Sequence, residues 1–296
     1  MIVLLSVCIL SCQKAKQPIR IATYTYATNN RINNLTHFAK ALEAEMKRPV
    51  EVQSYPDVAS FIEGIKSDQV DVGFINTLGY LLLARDNEYM DPIATLKVKE
   101  DAVDNYKTVL LTNNERVTDL EAISANANTL SMMFVAPGST SGNLVPRLML
   151  SAIGIKQPEA TFSKVAYGGN HTSTFDLLKE GVTDLCAIGS NEYYKQIAAD
   201  SSLGASTQLL WISEEIPLGP VLLNKRFSSS DRTRMTALIL KLHEADPQAL
   251  ASIKDGWSEA KQAEKFHAIT DKYYDNFRMV NGNRTDLSNI LKQFVQ

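Results

Sequence analysis

Strand-like and helix-like patterns alternate along the chain from Pro18 onward. The segment 19–26, IRIATYTY, has the character of a strand. The segment 34–46, NLTHFAKALEAEM, spaces its apolar residues by three or four, as an amphipathic helix does. Strands that alternate with helices are typical of α/β folds. Because they form two blocks, one before about residue 112 and one after it, the sequence predicts two α/β lobes that face each other.

The chain is expected to cross between the lobes near Asn113 and near Ser213. The expected division is a leader at 1–17, one lobe from 18–112 with 214–296, and a second lobe from 113–213. Further strands are expected at 50–55, 70–76, 106–113, 129–135, 162–170, 183–190 and 219–224. Further helices are expected at 57–69, 77–86, 117–125, 143–154, 172–181, 231–245, 247–257 and 263–277.

Composition limits the classes of partner. At 296 residues and 45% hydrophobic content the chain can bury a sizeable core, and its formal net charge of -3 comes without any basic run. This charge argues against nucleic acid or an anionic lipid surface as the main partner. Three cysteines give neither a disulfide framework nor metal-ligand spacing, so no metal or cofactor is expected. Cys186, in an apolar run, is expected to be a small buried hydrophobe.

The first residues indicate export. Residues 2–10 are apolar or small, a run too short to cross a membrane but suited to the core of a signal peptide. The following Ile9-Leu10-Ser11-Cys12 resembles the lipobox of bacterial lipoproteins, which implies cleavage before Cys12 and a lipid on its new N-terminus. No Lys or Arg precedes the run, a departure from the usual signal. The alternative is a buried N-terminal strand.

The stretch 136–146, APGSTSGNLVP, admits two interpretations. One is the nucleophile elbow of a hydrolase, G-x-S-x-G, but the central residue here is Thr140. A hydrolase also needs a histidine late in the chain, and His243 and His267 both fall on expected amphipathic helices. The enzyme interpretation is therefore poorly supported.

The other interpretation is a cradle for an oxyanion. A strand ends before Gly138 and a helix opens near Asn143, where free backbone N–H groups and a partial positive charge are expected. Ser139, Thr140 and Ser141 add hydroxyl donors, and Gly142 would let an anion approach the backbone closely. Such a cradle needs no Arg or Lys, and Arg147 lies beyond it. An ordinary turn with a serine cap remains the alternative.

Two further strand-to-helix turns carry small polar residues. Gly168-Gly169 precedes His171, which can donate from either ring nitrogen or carry a charge. Asn76-Thr77 follows a strand in the other lobe. Since turns at the carboxyl ends of strands gather at one edge, these residues predict one cleft. A capping or surface role for His171 is the alternative.

Four segments in this order resemble the phosphate, phosphite and phosphonate substrate-binding proteins of ABC transporters, over about 19–274. They are STSGNLVPR (139–147), GGNHTSTFDLLKEGVTDLCAI (168–188), QVDVGFINTLGYLLLA (69–84) and IPLGPVLLNKRF (216–227). The resemblance implies the two-lobed type II periplasmic-binding-protein fold, with the ligand in a cleft between the lobes.

By that resemblance, Ser139, Thr140, Ser141 and His171 bind a phosphorus oxyanion. Tyr80 would face the ligand from the other lobe. Tyr24 and Tyr26 end the first strand, and only one of them can face the cleft if the strand is regular.

Two departures from the family pattern bear on the ligand. Gly189 stands where the family commonly has an aspartate, which weakens the case for an aminoalkylphosphonate. Asn76-Thr77 replaces a Gly-Pro pair and suggests a more polar site.

The expected protein is a monomeric, lipid-anchored periplasmic or extracytoplasmic binding protein that presents its ligand to an ABC permease and catalyses no reaction. A sensory lipoprotein with the same fold is the alternative from another class, and a hydrolase is the enzyme alternative.

Overall fold

The computed structural model describes residues 17–99, 102, 105–279 and 284–294, so the leader with Cys8 and Cys12 lies outside the described residues. The strands are β1 (Ile19–Tyr24), β2 (Val50–Tyr55), β3 (Val72–Phe74), β4 (Met90–Val98), β5 (Thr108–Thr112), β6 (Ser131–Phe134), β7 (Lys164–Tyr167), β8 (Leu185–Gly189), β9 (Gln208–Ile212), β10 (Pro220–Asn224) and β11 (Ala263–Ala268).

The helices are α1 (Ile32–Met46), α2 (Val58–Lys66), α3 (Thr77–Leu83), α4 (Leu120–Asn126), α5 (Val145–Ala152), α6 (Pro158–Thr161), α7 (His171–Lys179), α8 (Ser190–Ala199), α9 (Leu203–Ser206), α10 (Ser229–Leu240), α11 (Leu242–Ala245), α12 (Pro247–Gly256), α13 (Asp275–Arg278) and α14 (Arg284–Lys292). A π-helical turn, Thr140–Leu144, precedes α5.

Two sheets divide the chain into the predicted lobes. The first sheet has the order β11-β4-β10-β3-β1-β2, and the second has the order β7-β6-β8-β5-β9. Within the first, β1 runs parallel to β2 and β3, and β10 runs antiparallel to β3 and β4. Within the second, β6 runs parallel to β7 and β8, and β5 runs antiparallel to β8 and β9. We call each sheet with its flanking helices the first and the second lobe.

The chain crosses between the lobes twice, and one crossover differs from its predicted place. The return from β9 to β10 occurs at 213–219, as expected. The outward crossover, however, precedes β5, because Thr108–Thr112 pairs with β8 and β9 in the second sheet. The predicted boundary between 112 and 113 is therefore wrong. A strand buried on both faces, as Val109, Leu110 and Leu111 are, carries no signal of which sheet it joins.

Several helices lie where local sequence patterns predicted them. The spaced apolar residues of α1, from Leu35 to Met46, are buried against the first sheet. Asp57 caps α2, accepting a hydrogen bond from the Ser60 amide at 2.8 Å. The region 263–277, however, was expected to be a helix, and β11 occupies its first part. β11 pairs with the sheet edge at β4, with Phe266 buried, so tertiary pairing overrides the helical pattern here.

One hydrophobic core extends across both lobes, and we call it the shared core. The second lobe contributes Leu144, Val145 and Leu148, the first lobe contributes residues such as Phe61, Leu78 and Leu81, and α14 adds Leu287, Ile290 and Leu291. α14 packs on α5, and the Gln293 side chain donates to the Lys156 carbonyl at 3.0 Å. The C-terminal helix therefore contacts the second lobe, whereas the prediction assigned all of 214–296 to the first. Among the described residues, no helix is both long enough and apolar enough to cross a membrane.

Candidate functional site: the cleft between the lobes

A cleft of about 1140 Å3 lies between the two lobes. Its first-lobe wall includes residues that follow β1 and β3, and its second-lobe wall includes residues that follow β6 and β7. Since β1 and β3 are parallel, as are β6 and β7, each wall collects the carboxyl ends of its strands. The predicted turns at Asn76, Ser139 and His171 do line one cleft.

The π-helical turn after β6 sets the geometry of the Ser-Thr-Ser segment. Ser139 caps it, its Oγ accepting from the Gly142 amide at 3.0 Å, and the Leu144 amide reaches back five residues to the Ser139 carbonyl at 3.1 Å. The wider turn is a geometry common at functional sites. The Ser139 cap that the sequence left as an alternative is thus formed, and the hydroxyl proton of Ser139 remains free to donate.

The structure gives a different reason for a glycine at position 142 from the one that the sequence predicted. A Cβ at this position would lie 2.2 Å from a methyl group of Val135, so the missing side chain lets the turn pack against the end of β6. The Gly142 amide is already bonded to Ser139. The structure therefore gives Gly142 a packing role and not the close approach to an anion that was predicted.

Thr140 and Asn76 join the lobes. Thr140 Oγ1 accepts from the Leu78 amide in the first turn of α3 at 3.0 Å, so a second-lobe side chain caps a first-lobe helix. Asn76 caps the same helix through the Gly79 amide and donates from Nδ2 to the Gly138 carbonyl at 2.8 Å. Both side chains tie the walls of the cleft together.

Ser141 is fully buried, at 0% exposure. Its amide donates to the Tyr106 hydroxyl at 3.3 Å, and its carbonyl accepts from Thr108 Oγ1 at 2.7 Å. Its own Oγ has no hydrogen-bond partner within the part of the chain that the structure describes. A buried hydroxyl without a partner is energetically unfavourable, which makes this group a candidate for contact with a ligand.

His171 begins α7 and is held by the backbone of the second sheet. Its Nδ1 accepts from the Gly189 amide at 3.0 Å, so a neutral ring carries its proton on Nε2. Burial lowers its pKa to about 4, with Glu192 opposing the shift. The predictions that either nitrogen could donate, or that the ring could be charged, are therefore wrong at neutral pH. His171 presents one neutral donor, Nε2–H.

Gly189 lies beside both candidate donors of the second lobe. A Cβ built there would be 3.4 Å from Ser141 Oγ and 3.5 Å from His171 Cε1. A side chain at this position would stand next to these two groups. Because residue 189 is glycine and not the family's usual aspartate, it places no carboxylate beside Ser141 and His171.

Tyr24 and Tyr26 both line the cleft, against the expectation that only one could. β1 ends at Tyr24, and Tyr26 lies in the following turn, where its amide and carbonyl bond with Asn29. Strand alternation therefore no longer applies at Tyr26. The Tyr26 ring lies 6.2 Å from the His171 ring across the cleft, and its buried hydroxyl has no partner among the described residues.

Four of the predicted site residues, Thr77, Tyr80, Ser141 and Gly142, are not among those that line the cleft. Tyr80 is 1% exposed and packs in the shared core, with its hydroxyl donating to Asp271 at 2.5 Å and its ring 4.8 Å from that of Tyr274. Thr77 Oγ1 donates to the Pro217 carbonyl at 2.5 Å. Thr77 is the first residue of α3 and Tyr80 the fourth, and both are buried at 1% exposure, so neither side chain faces the cleft.

Sequence reasoning missed three residues that line the cleft, Arg31, Tyr106 and Glu259. Arg31 is 3% exposed, and its guanidinium carbon lies 4.8, 5.3 and 4.5 Å from the ring centres of Tyr24, Tyr26 and Trp257. Burial raises the pKa of Glu259, with Arg31 opposing the shift. The cleft therefore includes an Arg in addition to the neutral donors that the sequence predicted. A polar turn after the first strand was the available signal for Arg31, whereas Glu259 and Tyr106 carry no motif.

Arg147 lines another part of the cleft and is already paired. Its Nη1 donates to Glu159 at 3.0 Å and its Nε to Asn143 Oδ1 at 2.7 Å. Its guanidinium also lies 4.6 Å from the Phe134 ring centre. Arg147 thus serves the second lobe's structure, and that the cradle does not need it stays a prediction.

The arrangement does not form a hydrolase site. A catalytic histidine must donate from Nδ1 to an orienting carboxylate, but Nδ1 of His171 accepts from a backbone amide. His243 lies in α11 and His267 in β11, and neither is among the residues that line the cleft. Among the described residues, no three His, Cys, Asp or Glu side chains are grouped to hold a metal ion. Cys186 is buried, as expected.

Comparison with known proteins agrees with the geometry. A family model described as the periplasmic substrate-binding protein of phosphonate ABC transporters matches residues 22–274. The phosphonates-binding periplasmic protein of Escherichia coli K12 is 19% identical over 253 residues, which cover 85% of this chain and 73% of the relative. The phosphate-import protein PhnD of Mycolicibacterium smegmatis is 25% identical over 142 residues, which cover 45% and 43% of the two chains.

Solved structures show the same fold. A binding protein of a Pseudomonas aeruginosa ABC phosphonate transporter superposes with a TM-score of 0.68 at 20% identity, covering 94% of this chain and 95% of its own. PhnD1 of Prochlorococcus marinus, solved with methylphosphonate, gives 0.67 at 17% identity, covering 89% and 96%. The two-lobed type II periplasmic-binding-protein fold is thereby confirmed. Since the family match extends over most of the chain, this protein belongs to the periplasmic substrate-binding proteins of phosphonate ABC transporters, which are substrate-binding components of transporters and not enzymes.

Proposed function

We propose that the cleft captures a small phosphorus oxyanion, namely a phosphonate, phosphite or phosphate, and presents it to the permease of an ABC transporter. The observation that supports this is the convergence of unused donors on His171. Ser141 of the second lobe and Tyr26 of the first each carry a buried hydroxyl with no partner among the described residues, and His171 lies near both. Groups of this kind from opposite lobes are suited to the separate oxygens of a tetrahedral anion.

Together these donors are expected to replace the hydrogen bonds that water makes to the anion. Ser139, Thr140 and Ser141 would donate their hydroxyl protons, and His171 would donate from Nε2. Tyr26 would close over the ligand from the first lobe. A buried anion is tolerated only when nearly all its oxygens are hydrogen-bonded, so each donor is expected to contribute about 1–3 kcal/mol of binding free energy.

The relatives support this ligand class. The E. coli relative is named for phosphonates, the M. smegmatis relative for phosphate import, and the P. marinus structure contains methylphosphonate. Gly189 supplies no carboxylate beside Ser141 and His171 to pair with a ligand amine. We therefore favour phosphate, phosphite or a simple alkylphosphonate over an aminoalkylphosphonate.

We further propose that the protein works as a monomer anchored to a membrane by a lipid on Cys12. The family is periplasmic, and the lipobox-like segment before Cys12 provides the attachment. A Cys12→Ala variant is expected to move from the membrane fraction to the soluble fraction. Equal membrane retention of both proteins would contradict the anchor.

Calorimetry with phosphate, phosphite, methylphosphonate, aminoethylphosphonate and sulfate tests the ligand. At least one phosphorus oxyanion is expected to bind tightly, and His171→Gln is expected to weaken it at least several-fold. Arg48→Gln alters a guanidinium that is not among the groups lining the cleft, so it should leave affinity for the anion nearly unchanged. Binding of none of the phosphorus compounds, or unchanged affinity in the His171 variant, would contradict the proposal.

A further inference from the structure

Arg31 is a buried cation that the sequence did not single out. It stands between β1 and α1 in a left-handed backbone conformation, with φ of 61°. Its Nε donates to the Gly256 carbonyl at 2.8 Å, which fixes the base of the guanidinium. The rings of Tyr24, Tyr26 and Trp257 surround the group, and it lines the cleft.

One nitrogen of this guanidinium is unused. Arg31 Nη1 is buried and has no hydrogen-bond partner among the described residues. A buried donor on a charged group is costly to leave without an acceptor, more so than one on a neutral group. The neighbouring aromatic rings lie close to the cation, but Nη1 itself is left without an acceptor among the described residues. An anionic oxygen in the cleft would satisfy both the charge and the donor.

Glu259 lines the same part of the cleft but does not neutralise Arg31 through a close ion pair, since no Arg–carboxylate contact within 4.0 Å joins them in the described structure. Burial raises the pKa of this carboxyl group, and the Arg31 charge opposes the shift. Because no close ion pair joins Glu259 to Arg31, and because Nη1 has no partner among the described residues, the Arg31 guanidinium remains available to a ligand.

We infer that Arg31 binds the oxyanion directly from the first lobe and makes the site favour a doubly charged ligand over a singly charged one. This inference rests on the proposed function and goes beyond it, because the donors proposed there are all neutral. Neutral hydroxyl and imidazole donors respond weakly to whether the anion carries one charge or two. A full positive charge in a site with little water discriminates between them.

The test compares two ligands of the same shape and different charge. Methylphosphonate, used above its second pKa, carries two charges, and methanesulfonate carries one. Calorimetry measures both dissociation constants for the wild type, Arg31→Met, Arg31→Lys and Arg48→Met. Arg48 is the matched control, because its guanidinium also stacks on a ring, 5.6 Å from the centre of Phe227, but is not among the groups that line the cleft.

Arg31→Met is expected to weaken methylphosphonate by about 10- to 100-fold and methanesulfonate by clearly less. Arg31→Lys keeps the charge and loses the planar fork, so it should weaken both ligands while retaining most of the preference for methylphosphonate. Arg48→Met should match the wild type. If Arg31→Met fails to fold, the ratio of the affinities of Arg31→Lys for methylphosphonate and methanesulfonate tests the inference instead.

Equal losses for the two ligands in Arg31→Met would show that Arg31 positions the tyrosines and does not contact the charge, and would overturn the inference. Loss of the charge preference in Arg31→Lys, or unchanged affinities in Arg31→Met, would overturn it as well. If the wild type binds neither probe but binds phosphate, phosphate above and below its second pKa replaces the pair of probes; a wild type that binds no phosphorus oxyanion would instead refute the proposed function. If Ser141→Ala weakens methylphosphonate while Arg31→Met changes nothing, the inference alone fails.

Discussion

Replacing Ser141 by alanine should have opposite effects on the free protein and on its complex. In the free protein the Ser141 hydroxyl is fully buried and has no partner among the described residues. Removing it relieves the cost of an unsatisfied polar group, which is about 1–3 kcal/mol for a buried donor. We therefore expect the free energy of unfolding of the ligand-free Ser141→Ala protein to stay the same or to rise, by up to about that amount.

In the complex the same hydroxyl is expected to donate to an anionic oxygen. A hydrogen bond to a charged group contributes about 1.5–3 kcal/mol, so Ser141→Ala should weaken binding by about 10- to 150-fold. Denaturant unfolding of the ligand-free protein and calorimetry with the best ligand of the screen measure the two quantities separately. The prediction is the combination of undiminished stability and a large loss of affinity.

Ser139→Ala is the matched control, because it also removes a hydroxyl from the same turn. Ser139 Oγ caps the turn through the Gly142 amide, so its removal should lower the free energy of unfolding by about 1 kcal/mol. A Ser141→Ala protein that loses as much stability as Ser139→Ala, or that binds the ligand as tightly as the wild type, would refute the assignment of Ser141.

Three other predictions follow from the cleft. The pKa of His171 is lowered by burial from 6.5 to about 4, so the stability it contributes is present above its unfolded pKa and is lost as pH falls through that window. Between those two pH values the wild type should lose up to about 3 kcal/mol more unfolding free energy than His171→Gln, as measured by denaturant titration; parallel curves would contradict this. Gly189→Asp places a carboxylate beside Ser141 Oγ and His171, so calorimetry should show weaker binding of methylphosphonate, by at least about tenfold, and a relative gain for aminoethylphosphonate; an unchanged ratio would contradict it. Thr140→Val deprives the buried Leu78 amide of its acceptor. It should destabilise the arrangement in which Thr140 of the second lobe contacts α3 of the first lobe by about 1–3 kcal/mol. Small-angle scattering of the ligand-free variant should then show a larger radius of gyration than the wild type, and identical radii would argue against a closing role.

The fold could be predicted where local patterns agree with tertiary structure. The alternation of strands and helices predicted the two lobes, and the helix expected at 57–69 is present as α2, capped by Asp57. The same local signals failed at β5 and β11. A strand buried on both faces is compatible with either sheet, and an edge strand is decided by its partner, β4, far away in sequence.

The candidate site could be predicted where a sequence motif marks its residues, and it could not be predicted where its residues belong to no motif. The turns containing Asn76, Ser139 and His171 do meet in one cleft, because strand-end residues collect at the edge of a parallel sheet. Arg31 and Glu259 were missed because no short-range pattern shows that 31 and 259 approach each other. Tyr80 was misplaced because a family match gives a position in sequence and not the direction of a side chain on its helix.

The shared core has a consequence for how the protein unfolds. Leu144, Val145 and Leu148 of the second lobe pack in one core with residues of the first lobe. Residues of α14, which comes last among the described elements, pack in the same core. Each lobe has hydrophobic clusters of its own, but the shared core needs residues of both lobes, so unfolding one lobe exposes apolar surface of the other. We expect a single cooperative calorimetric transition, and two separately expressed halves of the chain should not each behave as an autonomous folding unit.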